Sequence, residues 1–118
     1  MISLFNRSRT GVCSICNEEF PDTKLHIGHD IPFCQRDFKE LQENEWIIVK
    51  VVESNPDDPS QALLLTNLKF QLRDLSIPSF ITTDYTDKSD TIITIFRLHI
   101  KSSDKDDYDD KVNSLLSN

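Results

Sequence analysis

Glycine is nearly missing from this chain, with two residues in 118. A loop that cradles phosphate needs glycine wherever backbone must approach an anion closely. Neither G-x-G-x-x-G nor G-x-x-x-x-G-K-[ST] can be written here, and the G-x-S-x-G nucleophile elbow is excluded with them. Cysteine is sparse as well, and its count of three is a poor basis for a disulfide framework. Positive charge is in deficit: 13 Lys and Arg stand against 20 Asp and Glu, a formal net charge of −7. Residues 1–45 hold five basic and eight acidic groups, and residues 46–118 hold eight and twelve. Neither part is basic in the way that phosphate neutralisation requires, so nucleic acid is an unfavoured partner. Long apolar runs are absent too, since nothing approaches the ~20 residues of a membrane span. The opening MISLFNRSRTG puts its arginines after a short apolar segment, the wrong order for a secretory signal. The expectation is a cytoplasmic protein with reduced cysteines, a setting in which C-x-x-C points to metal rather than to a disulfide.

The remaining composition is ordinary, 37% hydrophobic and 28% charged, and fits a folded chain. Its length suffices for one ordinary domain, or for a small core beside a metal-stapled module. The sequence itself changes near Glu45, where KELQENE gives way to WIIVKVV. The expected organisation is a leader over residues 1–11, a metal-binding finger over 12–45 and an α+β module over 46–118.

All three cysteines lie in the first part, spaced C-x2-C-x17-C-x2-D through Cys13, Cys16, Cys34 and Asp37. A C-x-x-C turn lets two soft thiolates reach one ion, and an aspartate oxygen binds zinc at about the distance of an imidazole nitrogen. CQRDFKELQENE reads as a helix start with Phe38 and Leu41 on its buried side. Cys34 and Asp37, three apart, then face the same way across the first turn. KLHIGHDIPF reads as a hairpin with Gly28 in its turn, which places His29 away from the thiols and His26 on the rising strand. Asp37 is therefore the preferred fourth ligand, with His29, His26 and water as rivals. Four protein ligands leave no open position, so the ion expected is a structural Zn2+ and catalysis is not. The competing reading of CSIC as a redox pair is weaker, because such pairs open a helix after a buried strand and this one follows a polar leader.

After residue 45 the order expected is β-α-β-β-α. Trp46–Val52 is rich in β-branched residues and reads as a buried strand. Asp58, Pro59 and Gln61 form a helix-start signature, an N-cap, a first-turn proline and a capping box. Leu65, Leu68, Leu72 and Leu75 make a helical stripe with Leu63 and Phe70 as a second line, so that helix is expected to be buried on more than one side. Pro78 ends it. A strand through Phe80 and Ile81, a polar turn DYTDKSD and the strand TIITIFRLHI follow. On that last strand Ile92, Phe96, Leu98 and Ile100 share one face, while Arg97 and His99 read as solvated. Aspartates from Asp104 onward suit the N-terminal end of a final helix carrying Tyr108, Val112 and Leu115. The run DKDDYDD lacks the glycine and terminal glutamate of an EF-hand, and no catalytic set emerges.

Residues 12–45, on the strength of the C-x2-C-x17-C-x2-D spacing with its hairpin and helix, resemble a treble-clef or zinc-ribbon-like finger. They also resemble one half of a LIM module, in which aspartate can be the last ligand. Residues 47–117 are similar to a small bacterial family of signal-transducing proteins whose fold is related to the nitrogen-regulatory PII proteins. The matching features are Val49 to Val52, Asn55-Pro56, Leu72, Ile77-Pro78 and Ile92 to Ile100. Ser76 departs from it, standing where the family tends to have glycine. The resemblance implies a ferredoxin-like, PII-like module. Together the two parts imply a non-enzymatic regulatory or interaction protein whose partner is another protein or a second copy of itself. Nucleic-acid binding through the finger and thiol redox chemistry are the alternatives.

Overall fold

A computed structural model describes residues 9–116, which adopt a mixed α+β fold. Contacts divide the chain between Glu43 and Asn44 into two compact units. In the first, β1 (Thr10–Val12) and β2 (Glu19–Pro21) pair antiparallel on either side of the CSIC loop. Most of the expected leader lies outside the described residues, and Thr10 and Gly11 already belong to β1. A short 3-10 turn leads into the hairpin of β3 (Leu25–Gly28) and β4 (Ile31–Cys34), and helix α1 (Gln35–Glu43) follows directly.

The turn between β3 and β4 consists of His29 and Asp30, at φ 50° and 64°. Two residues in the left-handed region match the twist of the flanking strands. The expectation that Gly28 makes this turn is therefore corrected, because Gly28 is a strand residue paired with Ile31 and has no positive φ. Its missing side chain serves packing. A Cβ there would lie 2.7 Å from Leu41 Cδ2 and 3.4 Å from ring atoms of Phe33 and Phe38. Phe33 is fully buried, and its ring centroid is 6.5 Å from that of Phe38.

The second unit has a three-stranded antiparallel sheet in the order β5-β7-β6, formed by β5 (Trp46–Ser54), β6 (Ser79–Lys88) and β7 (Thr91–Lys101). Helix α2 (Ser60–Asp74) links β5 to β6, which run parallel to each other on either side of β7. Helix α3 (Lys105–Leu116) closes the order β-α-β-β-α. The core joins Leu65, Leu68 and Leu72 of α2 and Tyr108 of α3 to Val52, Leu98 and Ile100 of the sheet, with Ile77 beside them.

Several expectations shift because the sheet has only three strands. β5 is an edge strand in which only Val52 and Ser54 are buried. A break in register between Ile48 and Lys50 lets both Ile47 and Val52 reach the core. The segment 84–88 is strand rather than turn, and the reversal is confined to Ser89 and Asp90, again at positive φ. Ile92 pairs with Asp87 beyond the end of β5, where it is exposed. Leu63, Phe70 and Leu75 are exposed, so α2 buries one stripe rather than two. His99 is buried rather than solvated: its ring stacks 4.5 Å from that of Phe80, and Nε2 lies 2.8 Å from Thr82 Oγ1. Trp46 packs on the same Phe80, with centroids 5.2 Å apart.

Both ends of α2 differ in detail from a plain capping box. Asp58 Oδ1 accepts from the Ser60 N–H at 3.1 Å, while the Asp58 N–H is taken by the Asn55 carbonyl at 3.2 Å. No donor is left there for Gln61 to engage. At the other end Ser76 N–H donates to Arg73 O and Ile77 N–H to Leu72 O, each at 2.9 Å. That pair of bonds is a Schellman cap, and it requires the left-handed φ of 61° found at Ser76.

Candidate metal centre

The first hairpin positions two thiols. Asn17 N–H donates to Cys13 O at 2.9 Å and Cys13 N–H to Glu18 O at 3.0 Å, closing a tight loop in which Asn17 takes φ 61°. That loop turns Cys13 and Cys16 towards one point. Ser14 N–H donates to Pro32 O at 2.9 Å, which ties the loop to β4, the strand that ends in Cys34. Helix α1 begins at the next residue and brings Asp37 round in its first turn. Both hairpins and the helix therefore each supply part of the site.

The four ligand-type atoms, three Sγ and one carboxylate oxygen, all lie within 4.8 Å of one another. Asp37 Oδ2 accepts from Cys13 Sγ at 3.1 Å and from Cys34 Sγ at 3.3 Å. A zinc ion with bonds of about 2.3 Å to sulfur and 2.0–2.2 Å to oxygen spans tetrahedral edges of roughly 3.5–3.8 Å, so a set this close fits one such ion. Cys13, Cys34 and Asp37 are buried and Cys16 is partly exposed. Three cysteines and an aspartate placed in this way could hold a metal ion.

The protonation of the metal-free cluster follows from its burial. Desolvation pushes the Cys16 thiol up to about 12, with the nearby Cys13 and Asp37 adding to the rise. Burial likewise raises the Cys34 thiol. For Asp37 burial also acts upward. It is outweighed by hydrogen bonds from the Cys13, Cys34 and Cys16 thiols and by the charge of Arg36, which leave the carboxyl below its ordinary range. Without metal the cluster thus holds a carboxylate among thiols, a buried anion solvated by S–H donors.

The histidine rivals are placed elsewhere. His26 stacks on the ring of Phe38 with centroids 5.0 Å apart, and His29 occupies the β3–β4 turn. Neither belongs to the four-residue cluster. The structure adds a residue to which the sequence reading gave no role, Arg36, whose Nε lies 3.6 Å from Asp37 Oδ1. Its only sequence signal was adjacency to Asp37 at a helix start.

Among the described residues no helix is long and apolar enough to cross a membrane. The chain matches none of the protein families, curated proteins or solved structures with which it was compared.

Proposed function

We propose that residues 12–45 form a zinc finger of the treble-clef or zinc-ribbon kind, and that Cys13, Cys16, Cys34 and Asp37 hold a structural Zn2+. The observation that carries this reading is the convergence of four zinc-ligating side chains, within 4.8 Å, from two hairpins and a helix start. Thiolates favour zinc among the abundant divalent ions, and a set of four protein donors leaves no position for substrate. The role is structural. On the order of 10 kcal/mol from ion binding is available to a module whose own apolar core is small.

The whole protein is then read as a non-enzymatic regulatory or interaction protein. Its second unit supports a ferredoxin-like, PII-like reading through the order β-α-β-β-α with β7 between two parallel strands. β5 and β6 are both edges of that sheet, and a free strand edge suits pairing with a partner strand or a second copy. The net charge of −7 weighs against nucleic acid as the partner.

Metal analysis of the purified protein beside three variants tests the centre. The expected result is about one zinc per chain in wild type, Asp37→Cys and His29→Ala, and loss of zinc in Asp37→Ala. Zinc retained by Asp37→Ala but lost by His29→Ala overturns the ligand assignment.

A further inference from the structure

The two oxygens of Asp37 have different neighbours. Oδ2 faces the thiols of Cys13 and Cys34 at 3.1 and 3.3 Å, whereas Oδ1 faces the Arg36 guanidinium, with Nε at 3.6 Å. Side chains adjacent in a helix do not face one another, so this contact requires Arg36 to fold back over the start of α1. The partners differ sharply in solvation as well: the Asp37 side chain is 9% exposed and that of Arg36 is 71% exposed. The Arg36 side chain lines a groove of about 520 Å³ that opens to solvent, together with Cys34, Phe20 and Lys24 among others.

Resting on the reading of the cluster as a zinc centre, we infer that Arg36 is a positioning residue for that centre, holding Asp37 as a one-oxygen ligand and slowing release of the ion. Three thiolates and a carboxylate around a divalent cation leave two net negative charges, and Arg36 offsets one of them from the side open to water. With Oδ1 engaged by the guanidinium, the carboxylate has one oxygen for the metal and little freedom to rotate away from it. Outer-shell partners that orient a ligand in this manner commonly change metal affinity by 10–100-fold. Lysine is a poor substitute, because its ammonium is a more strongly hydrated point charge on a flexible stem and holds a carboxylate less firmly.

The test compares wild type, Arg36→Gln, Arg36→Lys and Lys39→Gln. Lys39 lines the same groove, but its ammonium lies 3.9 Å from Glu43, so that variant removes a nearby charge without touching Asp37. Each protein is loaded with Zn2+, and transfer of the ion to an excess of a chromogenic chelator is timed. The cobalt-substituted forms are compared by absorption, which reads the ligand field directly. The expected outcome is one ion per chain in all four proteins, with release at least about tenfold faster from Arg36→Gln, an intermediate rate from Arg36→Lys and the wild-type rate from Lys39→Gln. A shifted cobalt spectrum in Arg36→Gln is also expected, which a loss of surface charge alone does not produce. Equal acceleration in Arg36→Gln and Lys39→Gln overturns the positioning role in favour of bulk charge. Wild-type release from Arg36→Gln, with one ion bound, overturns it while leaving the zinc centre intact. Failure of wild type to take up any ion removes the zinc reading and the inference together.

Discussion

Three thiols must give up their protons to hold a divalent ion, and at least two of them do so reluctantly. Cys16 is pushed up to about 12 and Cys34 is raised as well, in both cases chiefly because burial disfavours the thiolate. Each proton displaced on binding makes the apparent affinity fall tenfold per pH unit, so the two raised thiols by themselves predict a fall of at least about a hundredfold per unit between roughly pH 8 and 6. Titration of the metal-free protein with zinc at several pH values reads this slope, and a flat profile shows that the thiols are already ionised. The same shifts bear on the stability of the metal-free protein, with signs that differ at the two ends of the scale. A thiol raised from 9.0 to about 12 contributes stability that is complete below pH 9 and is lost as pH climbs towards 12. A carboxyl lowered from 3.8 contributes stability present above that pH and lost as pH falls below it. The stability of the metal-free form against denaturant is therefore expected to fall above pH 9. Zinc, by binding thiolates, should remove that alkaline loss. At this scale the sequence reading was most informative about Cys13, Cys16, Cys34 and Asp37, because ligand type and spacing are local properties of the chain. It was silent on Arg36, since a contact between neighbouring side chains depends on which way a long side chain folds.

Elements form here where local signals agree, and bear strain where they do not. Helix α2 ends in a Schellman cap whose αL position is filled by Ser76 at φ 61°, a conformation that crowds any Cβ. Replacing Ser76 by glycine removes that crowding at the cost of a more flexible unfolded chain. The expected net effect of Ser76→Gly is a stabilisation of about 0.5–1 kcal/mol, measured as a rise in the denaturant midpoint at unchanged slope. A drop in the midpoint shows that the Ser76 side chain contributes more than its backbone strain costs. The order of the elements was legible from periodicity, above all for α2 and β7. Their edges were not. Segment 84–88 looks like a polar turn because Asp84, Tyr85 and Asp87 are exposed, yet residues 79–88 pair continuously with β7. A strand that overhangs the core has no apolar face to announce it, so its existence rests on cross-strand hydrogen bonds and on surface ion pairs, Asp84 with Arg97 and Lys88 with Glu53. The same geometry explains α2: Leu63 and Phe70 look like core residues in the sequence, but a single three-stranded layer covers one stripe of a helix and leaves the rest in water.

On the scale of the molecule, the two units have different sources of stability. The second buries a continuous apolar cluster from Val52 to Tyr108. In the first, two of the four buried apolar residues among those described, Cys13 and Cys34, are themselves in the candidate metal cluster, with Ile15 and Phe33 as the others. On the zinc reading, removing the ion is thus expected to lower the stability of residues 12–43 selectively. Amide hydrogen exchange with and without a strong chelator checks this: protection should fall across β1 to α1 and persist in β5, α2 and β7. Simultaneous loss in both units shows that their folding is coupled. The sequence by itself determined which ligand-type residues are available to the candidate centre and the order of the elements, because residue type, spacing and hydrophobic period are written along the chain. Only the tertiary structure decided that Asp37, and neither His26 nor His29, meets the three thiols. It also decided that β7 rather than β5 is the central strand and that His99 is buried. Those outcomes depend on which strands pair and how a turn aims its neighbours, and relations between distant segments leave no trace in local pattern.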